Sequence, residues 1–431
     1  MVRHALYQLL LHLLLLLGLP WWLSRYVASG RYAGTWGMRF GWLPEAVWQA
    51  ARNREVIWVH AVSVGEAMAA RALVEGLRQA YPEACLLMTT VTPTGQRIVR
   101  EKITGVDAAF FLPLDLFWVV GRVVDRLHPR LVVVMETEFW PGLYHALKQR
   151  GIPLMVVNGR LSERSTRGYR RVRGFMKAVL SAVTRFAVQT DRDREGLLSL
   201  GVEPDRITVT GNIKYDQAMK RPDAAEMAGL TERLGPRPPG LIWMAASTHP
   251  GEEASVARVY LRLRREWPAL RLILAPRHPE RVGEVEALFS ALGVEGVQRL
   301  SMATGGWEGP VLLVDQVGWL TRLYSWADGV FVGGSLVNKG GQNMLEPAAW
   351  SIAPLFGPHT GNFREVVEAL LRGEGGFRVA DEEALWRMSR ELLADEPRRQ
   401  RDGAAARRVV EANQGALQRT LDCLRRSLER P

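Results

Sequence analysis

The sequence predicts an α/β protein built from two doubly wound domains. Three observations carry that expectation. From Glu55 onward, short apolar, β-rich runs alternate with segments of helical period, the pattern of parallel sheets covered on both faces. The alternation is interrupted once, at 220–240, by the Pro-rich and charged stretch KRPDAAEMAGLTERLGPRPPG, and then resumes. The chain has 431 residues, more than a single hydrophobic core usually serves.

The first element is the apolar run ALYQLLLHLLLLLGLPWWLSRYV, Ala5 to Val27, interrupted only by Gln8, His12 and Ser24 before Arg25. Its length is close to the ~20 residues that span a bilayer. Trp21 and Trp22 suit an interfacial aromatic belt, and Arg25, Arg31 and Arg39 favour a cytoplasmic main body. A cleaved signal peptide and a buried helix ended by Pro20 are the alternatives. The first array of strand-like runs follows as EVIWVHAV, CLLMTTVT, AAFFLPLD, RLVVVMET, IPLMVVNG, FAVQT and ITVTGN. The second reads LIWMAAST, LRLILAPR, VLLVDQV, GVFVGGS and IAPLFG. Expected boundaries are 1–27 for a membrane anchor helix, 28–219 for the first domain and 220–240 for a linker with a short helix. The second domain takes 241–399, and 400–431 forms a helical tail.

Composition narrows the partners. At 47% hydrophobic and 23% charged, general disorder is excluded. A net charge of +11 asks for a polyanion: nucleic acid, an anionic membrane or a phosphorylated substrate. Cys85 and Cys423 lie far apart and form no metal motif. Open α/β sheets bind ligands beyond the carboxyl ends of their strands. Polar loops fall there in both arrays, as an elongated cleft between two domains requires.

The loop HAVSVGE, 60–66, poses the sharpest question. Ser63 and Glu66 fit a capping box, in which each side chain satisfies a free N–H of the other. Glu66 also stands where a base could act. A catalytic carboxylate should be free of the Ser63 N–H, and a cap should fold back onto it. METEFWPG places Glu136 and Glu138 on one side of the chain if the strand continues, where paired carboxylates raise a pKa. GNIKYD puts Lys214 at a strand end, able to offset a leaving phosphate or simply to face solvent. PRHPE offers Arg277 for a phosphate, or plain surface charge. GGSLVNKGGQNMLEPAAW ends a strand at Gly333 and Gly334 and allows close approach at Gly340 and Gly341. It starts a helix near Asn343, with Glu346 able to meet a ribose diol. TDRD, 190–193, could hold a metal beside a nucleotide but reads better as a helix cap. The basic stretch 160–177 suits an anionic lipid surface or a solvated helix. Zinc spacings, a P-loop and a G-x-S-x-G elbow are absent from the sequence.

HAVSVGE, TVTPTGQ, METEFWP, GNIKYD, STHPGEE, PRHPE, FVGGSL, GGQNMLE and GPHTGNF follow in an order that closely resembles the 3-deoxy-D-manno-octulosonic acid (Kdo) transferases. The resemblance runs over nearly the whole chain. It implies a GT-B fold of two Rossmann-like domains, the first binding the lipid A precursor and the second CMP-Kdo. It also implies an inverting single displacement at the cytoplasmic face of the inner membrane, without metal or cofactor. On this resemblance Glu66 matches the catalytic base, and Glu136 and Lys214 match transition-state stabilisers. Pro276, Arg277, Val317, Gly318, Trp319, Asn343, Met344, Leu345 and Glu346 match CMP-binding positions. Many relatives have an acid where this chain has Trp319, which leaves backbone contacts as the expected contribution there. A UDP-sugar GT-B transferase and a basic nucleic-acid-binding protein are the competing readings.

Overall fold

Each array of apolar runs forms one all-parallel sheet. The computed structural model describes residues 6–18, 34–219 and 221–428. The chain divides into two compact units, Met1–Gln217 with Gln414–Pro431, and Ala218–Asn413.

In the first unit the strands are β1 Val56–His60, β2 Cys85–Thr90, β3 Ala108–Phe111, β4 Leu131–Met135, β5 Leu154–Gly159, β6 Arg185–Val188 and β7 Ile207–Val209. Their spatial order is β3-β2-β1-β4-β5-β6-β7, so the winding reverses between β1 and β4. Both faces of β1 are buried, Trp58 and Val56 packing with Leu87 and Phe110, and Ile57 and Val59 with Leu73, Leu77 and Met88. This is why the run reads as continuously apolar rather than alternating.

In the second unit the strands are β8 Ile242–Thr248, β9 Arg271–Pro276, β10 Val297–Arg299, β11 Val311–Leu313, β12 Gly329–Val332, β13 Pro354–Phe356 and β14 Phe377–Arg378. The order β10-β11-β9-β8-β12-β13-β14 reverses between β8 and β12. The edge strands β10 and β14 went unread in the sequence because they are short, half-exposed and polar.

Two boundaries differ from expectation. Within 220–240 the helix Ala224–Leu234, with a capping box between Asp223 and Glu226, buries Leu230 and Leu234 and belongs to the second unit. The tail is not one element. Helix Glu396–Ala412 stays with the second unit, Gly415 breaks the chain at φ +83°, and helix Ala416–Leu428 returns to the first. There the Asp216 carboxylate accepts from the N–H groups of Gly415 (2.6 Å) and Leu417 (2.8 Å), and Leu424 enters the core.

The expected N-terminal anchor, 1–27, lies partly outside the described residues. The described helix covers 6–18, and 19–27 lie outside the described residues. Among the described residues no helix is long and apolar enough to cross a membrane. The polar breaks of the apolar run are its docking edge. Tyr7 donates to Asp115 (2.8 Å), Gln8 donates to the Asp115 carbonyl (3.0 Å), and the Phe117 N–H donates to Gln8 (3.0 Å). Trp118 donates to His12 Nε2 (3.3 Å). Leu6, Leu9, Leu10, Leu13, Leu14, Leu16 and Leu17 are left exposed, Leu17 at 81%.

Candidate active site

The first unit gathers three carboxylates and a lysine at the carboxyl ends of β1, β4 and β7. Glu66 and Glu136 follow the two strands between which the winding reverses, where open α/β sheets form their binding crevice. Ser63 caps helix Val64–Ala80 and accepts from the Glu66 N–H (3.3 Å). The Glu66 carboxylate accepts from the Val62 N–H (2.8 Å) and from the Ser63 hydroxyl (3.0 Å). It therefore folds back, but onto Val62 rather than onto the Ser63 N–H of a capping box. Glu66 is 9% exposed, and its pKa is pushed up to about 7. Burial is the largest cause, the negative charges of Glu136 and Glu138 add to it, and the Val62 and Ser63 bonds oppose it. A carboxylate poised near neutrality can take a proton at working pH.

Glu136 does not continue β4. Its φ is +55°, in the left-handed region that costs a non-glycine residue energy, so strand alternation does not pair it with Glu138. The two still interact: burial, then the Glu136 charge, raises the Glu138 pKa. Lys214 Nζ lies 3.4 Å from Glu136 Oε1. The turn that presents Lys214 is built by amide side chains. Asn158, also at positive φ (+52°), accepts from the Ile213 N–H (3.1 Å), and its carbonyl accepts from Gln189 (2.9 Å). Asn212 accepts from the Lys214 N–H (3.0 Å). Asn158 was passed over in the sequence, although NGR at a strand end is the signal that could have found it.

In the second unit, Pro276 ends β9 and the Arg277 N–H donates to the Thr248 carbonyl (2.9 Å), leaving an exposed guanidinium. Val317 is 75% exposed, Gly318 has φ +93°, and the Arg322 guanidinium lies 4.4 Å from the Trp319 ring. The helix expected near Asn343 begins at Leu345 and runs only to Ala349. Asn343 accepts from the Leu345 N–H (3.2 Å) and donates to Glu346 (2.9 Å). Met344 and Leu345 are fully buried, so backbone is what they can offer a ligand. Burial raises the Glu346 pKa, against bonds from Asn343 and Tyr324 and the Arg277 charge. Tyr324, whose hydroxyl acts against the rise in the Glu346 pKa, lies in a segment without any motif, so nothing in the sequence marked it. The Gly340 expectation holds: a Cβ there would lie 2.5 Å from Asn362 Nδ2.

TDRD is the cap it resembled. Thr190 and Asp193 make a full capping box, and Asp193 also accepts from the Leu161 N–H (2.6 Å). The basic stretch forms helices Glu163–Arg171 and Arg173–Leu180, whose arginines are exposed. Phe175 packs 5.8 Å from Tyr7, so it adjoins the N-terminal helix.

Comparison with known proteins adds three findings. Residues 34–217 match the family model described as 3-Deoxy-D-manno-octulosonic-acid transferase (kdotransferase). The chain is 36% identical to the 3-deoxy-D-manno-octulosonic acid transferase of Haemophilus influenzae over 94% of both chains. It is 33% identical to that of Bordetella pertussis, over 94% of this chain and 95% of the other. A UDP-GlcNAc 2-epimerase from Neisseria meningitidis (TM-score 0.60, 13% identity, 86% of this chain and 100% of the other) shares the fold. So does a glycosyltransferase from Rickettsia africae (TM-score 0.57, 13% identity, 88% and 100%). These two establish the GT-B-like pair of parallel-sheet units.

Proposed function

The chain belongs to the Kdo transferase family of glycosyltransferases, which serves lipopolysaccharide core biosynthesis, and on that premise we propose that it moves Kdo from CMP-Kdo to the lipid A precursor by inverting displacement. Glu66 takes the proton from the acceptor hydroxyl as that oxygen attacks the anomeric carbon. The bond to the CMP phosphate breaks, and its electron pair leaves on the phosphate oxygen. Arg277 offsets the phosphate charge, while Asn343 and Glu346 hold the ribose. Glu136 favours the cation-like sugar centre, and Lys214 balances the carboxylate cluster in the resting state. The observation that carries this reading is the buried Glu66 carboxylate, poised near neutrality beside Glu136 where the first sheet reverses. Incubating the full chain with labelled CMP-Kdo and lipid A precursor tests it. Label should move to lipid, and Glu66→Gln should abolish transfer while keeping CMP affinity. A preference for UDP over CMP in a binding titration would favour a UDP-sugar transferase instead.

We also propose that the protein works at the cytoplasmic face of the inner membrane with helix 6–18 lying on the bilayer. Its exposed leucine face continues into exposed Phe117, Trp118 and Trp42, and the basic helices 163–180 border it. Apolar and cationic surface together suit an anionic bilayer. Loss of co-sedimentation with anionic vesicles on changing Leu10, Leu14 and Leu17 to Ser would support this. Unchanged sedimentation would refute it.

A further inference from the structure

β8 and β12 are neighbours where the second sheet reverses, and their carboxyl ends carry His249 and the turn Gly333–Gln342. Glu252 ties the two together. It is fully buried, and its carboxylate accepts four backbone N–H groups: His249 (2.9 Å), Gly334 (2.7 Å), Ser335 (3.0 Å) and Leu336 (2.9 Å). Gly334, at φ +67°, leaves room for what packs on the turn. A Cβ there would meet His249 Cδ2 at 3.2 Å and Gln342 Nε2 at 3.3 Å.

The His249 ring is fixed within this frame. Gln342 Nε2 lies 3.0 Å from His249 Nε2. An amide nitrogen can only donate, so in this arrangement His249 Nε2 accepts and the ring proton sits on Nδ1. Nδ1 makes no hydrogen bond to the described residues. The surroundings are cationic. His278 stands edge-on at 5.9 Å, and burial together with the charges of His278, Arg277 and Lys339 lowers the His249 pKa. The acid that acts against them, Glu253, is itself paired with Arg281 (2.8 Å). Lys339 has an exposed side chain on a fixed backbone. Its N–H donates to Val337 (2.7 Å), and its carbonyl accepts from Asn362 (3.2 Å).

A CMP-linked ulosonic acid brings two anionic groups to one carbon, the phosphate ester and the carboxylate. Arg277 answers the first. We propose that the His249 Nδ1–H and the Lys339 ammonium form the subsite for the donor sugar's carboxylate, and so select an acidic sugar over a neutral one. The proposal rests on the reading of this unit as the CMP-Kdo binder.

The test uses the full chain, with CMP binding by calorimetry and CMP-Kdo kinetics with lipid A precursor. His249→Gln removes the Nδ1 donor while keeping a partner for Gln342. His249→Asn restores a donor near Nδ1. Lys339→Met changes only an exposed side chain, so it carries the test even if the buried position tolerates no change. His249→Gln and Lys339→Met should each raise KM for CMP-Kdo about tenfold and leave CMP affinity within about twofold, with His249→Asn closer to wild type. Equal weakening of CMP and CMP-Kdo would place these groups on the phosphate and overturn the proposal, as would an unchanged KM. A wild-type chain that binds CMP but transfers no Kdo would sink the functional reading and the subsite with it. Normal wild-type transfer with unaffected variants would sink the subsite alone.

Discussion

Glu66→Gln should stabilise the protein at alkaline pH even as it stops transfer. The carboxyl's pKa is raised from 4.5 to about 7 by burial and by the neighbouring charges of Glu136 and Glu138. The folded state therefore holds this proton longer than the unfolded chain does. Stability conferred by the group falls as pH rises from the unfolded toward the folded value, and is constant above it. A gap of that size corresponds to about 3 kcal/mol once the group is fully ionised. The amide keeps an oxygen for the Val62 N–H and can donate to the Ser63 hydroxyl, so little hydrogen bonding is lost. At about pH 8 the variant should be more stable than wild type by about 2–3 kcal/mol, and near pH 5 by less than about 1 kcal/mol. Hydrogen exchange in peptides from 56–80 across a urea series at the two pH values reads this locally. A variant less stable by about 1 kcal/mol at both pH values would mean that Glu66 is an ordinary cap, and the reasoning would fail.

The same ionisation should shape turnover: kcat/KM should fall about tenfold per pH unit below about pH 7 and level off above it, and a flat profile there would exclude Glu66 as the base. Glu136→Gln removes a charge that raises the Glu66 pKa, so the acid limb should move to lower pH while the rate drops; an unmoved limb would show the two carboxylates to be uncoupled. Asp115→Asn should undock the N-terminal helix, because this buried carboxylate accepts from Tyr7 and from the N–H groups of Gly142 and Leu143 (both 2.7 Å). The cost should be about 1–3 kcal/mol, seen as faster protease cleavage within the first 40 residues or so. Tyr324→Phe should weaken CMP binding about fivefold by releasing Glu346, and calorimetry with CMP checks it.

The strands were legible because both faces of each sheet are buried, so EVIWV and RLVVV read as unbroken apolar runs. The candidate site was legible only as far as it lies in loops with distinctive composition. HAVSVGE and GGQNMLE announce themselves, but the partners that orient them do not. Tyr324 and Asn158 act on them from positions with unremarkable neighbours. The status of Glu66 could not be read locally, since cap and base need the same residue at the same spacing. What separates them is burial and the approach of Glu136 from 70 residues along the chain. The docking of the N-terminal run was hidden for a related reason. Gln8 and His12 looked like minor interruptions of an apolar span, and only the fold reveals Asp115 and Trp118 waiting for them.

The return of helix Ala416–Leu428 bears on how the protein is made. Lys214 opens a five-residue helix whose Asp216 is bonded to the backbone of Gly415 and Leu417. Arg419 reaches from the same helix to the Thr210 carbonyl (2.8 Å). Domains fold as they leave the ribosome, and one that comprises a continuous stretch can finish while the rest is being translated. The second unit is such a stretch, but the first is not. The lysine beside the carboxylate cluster is braced by residues that follow the whole second unit along the chain. A nascent chain can therefore complete its second unit before the first closes, and a product truncated before 415 would carry every residue of the cluster without the brace that sets one of them.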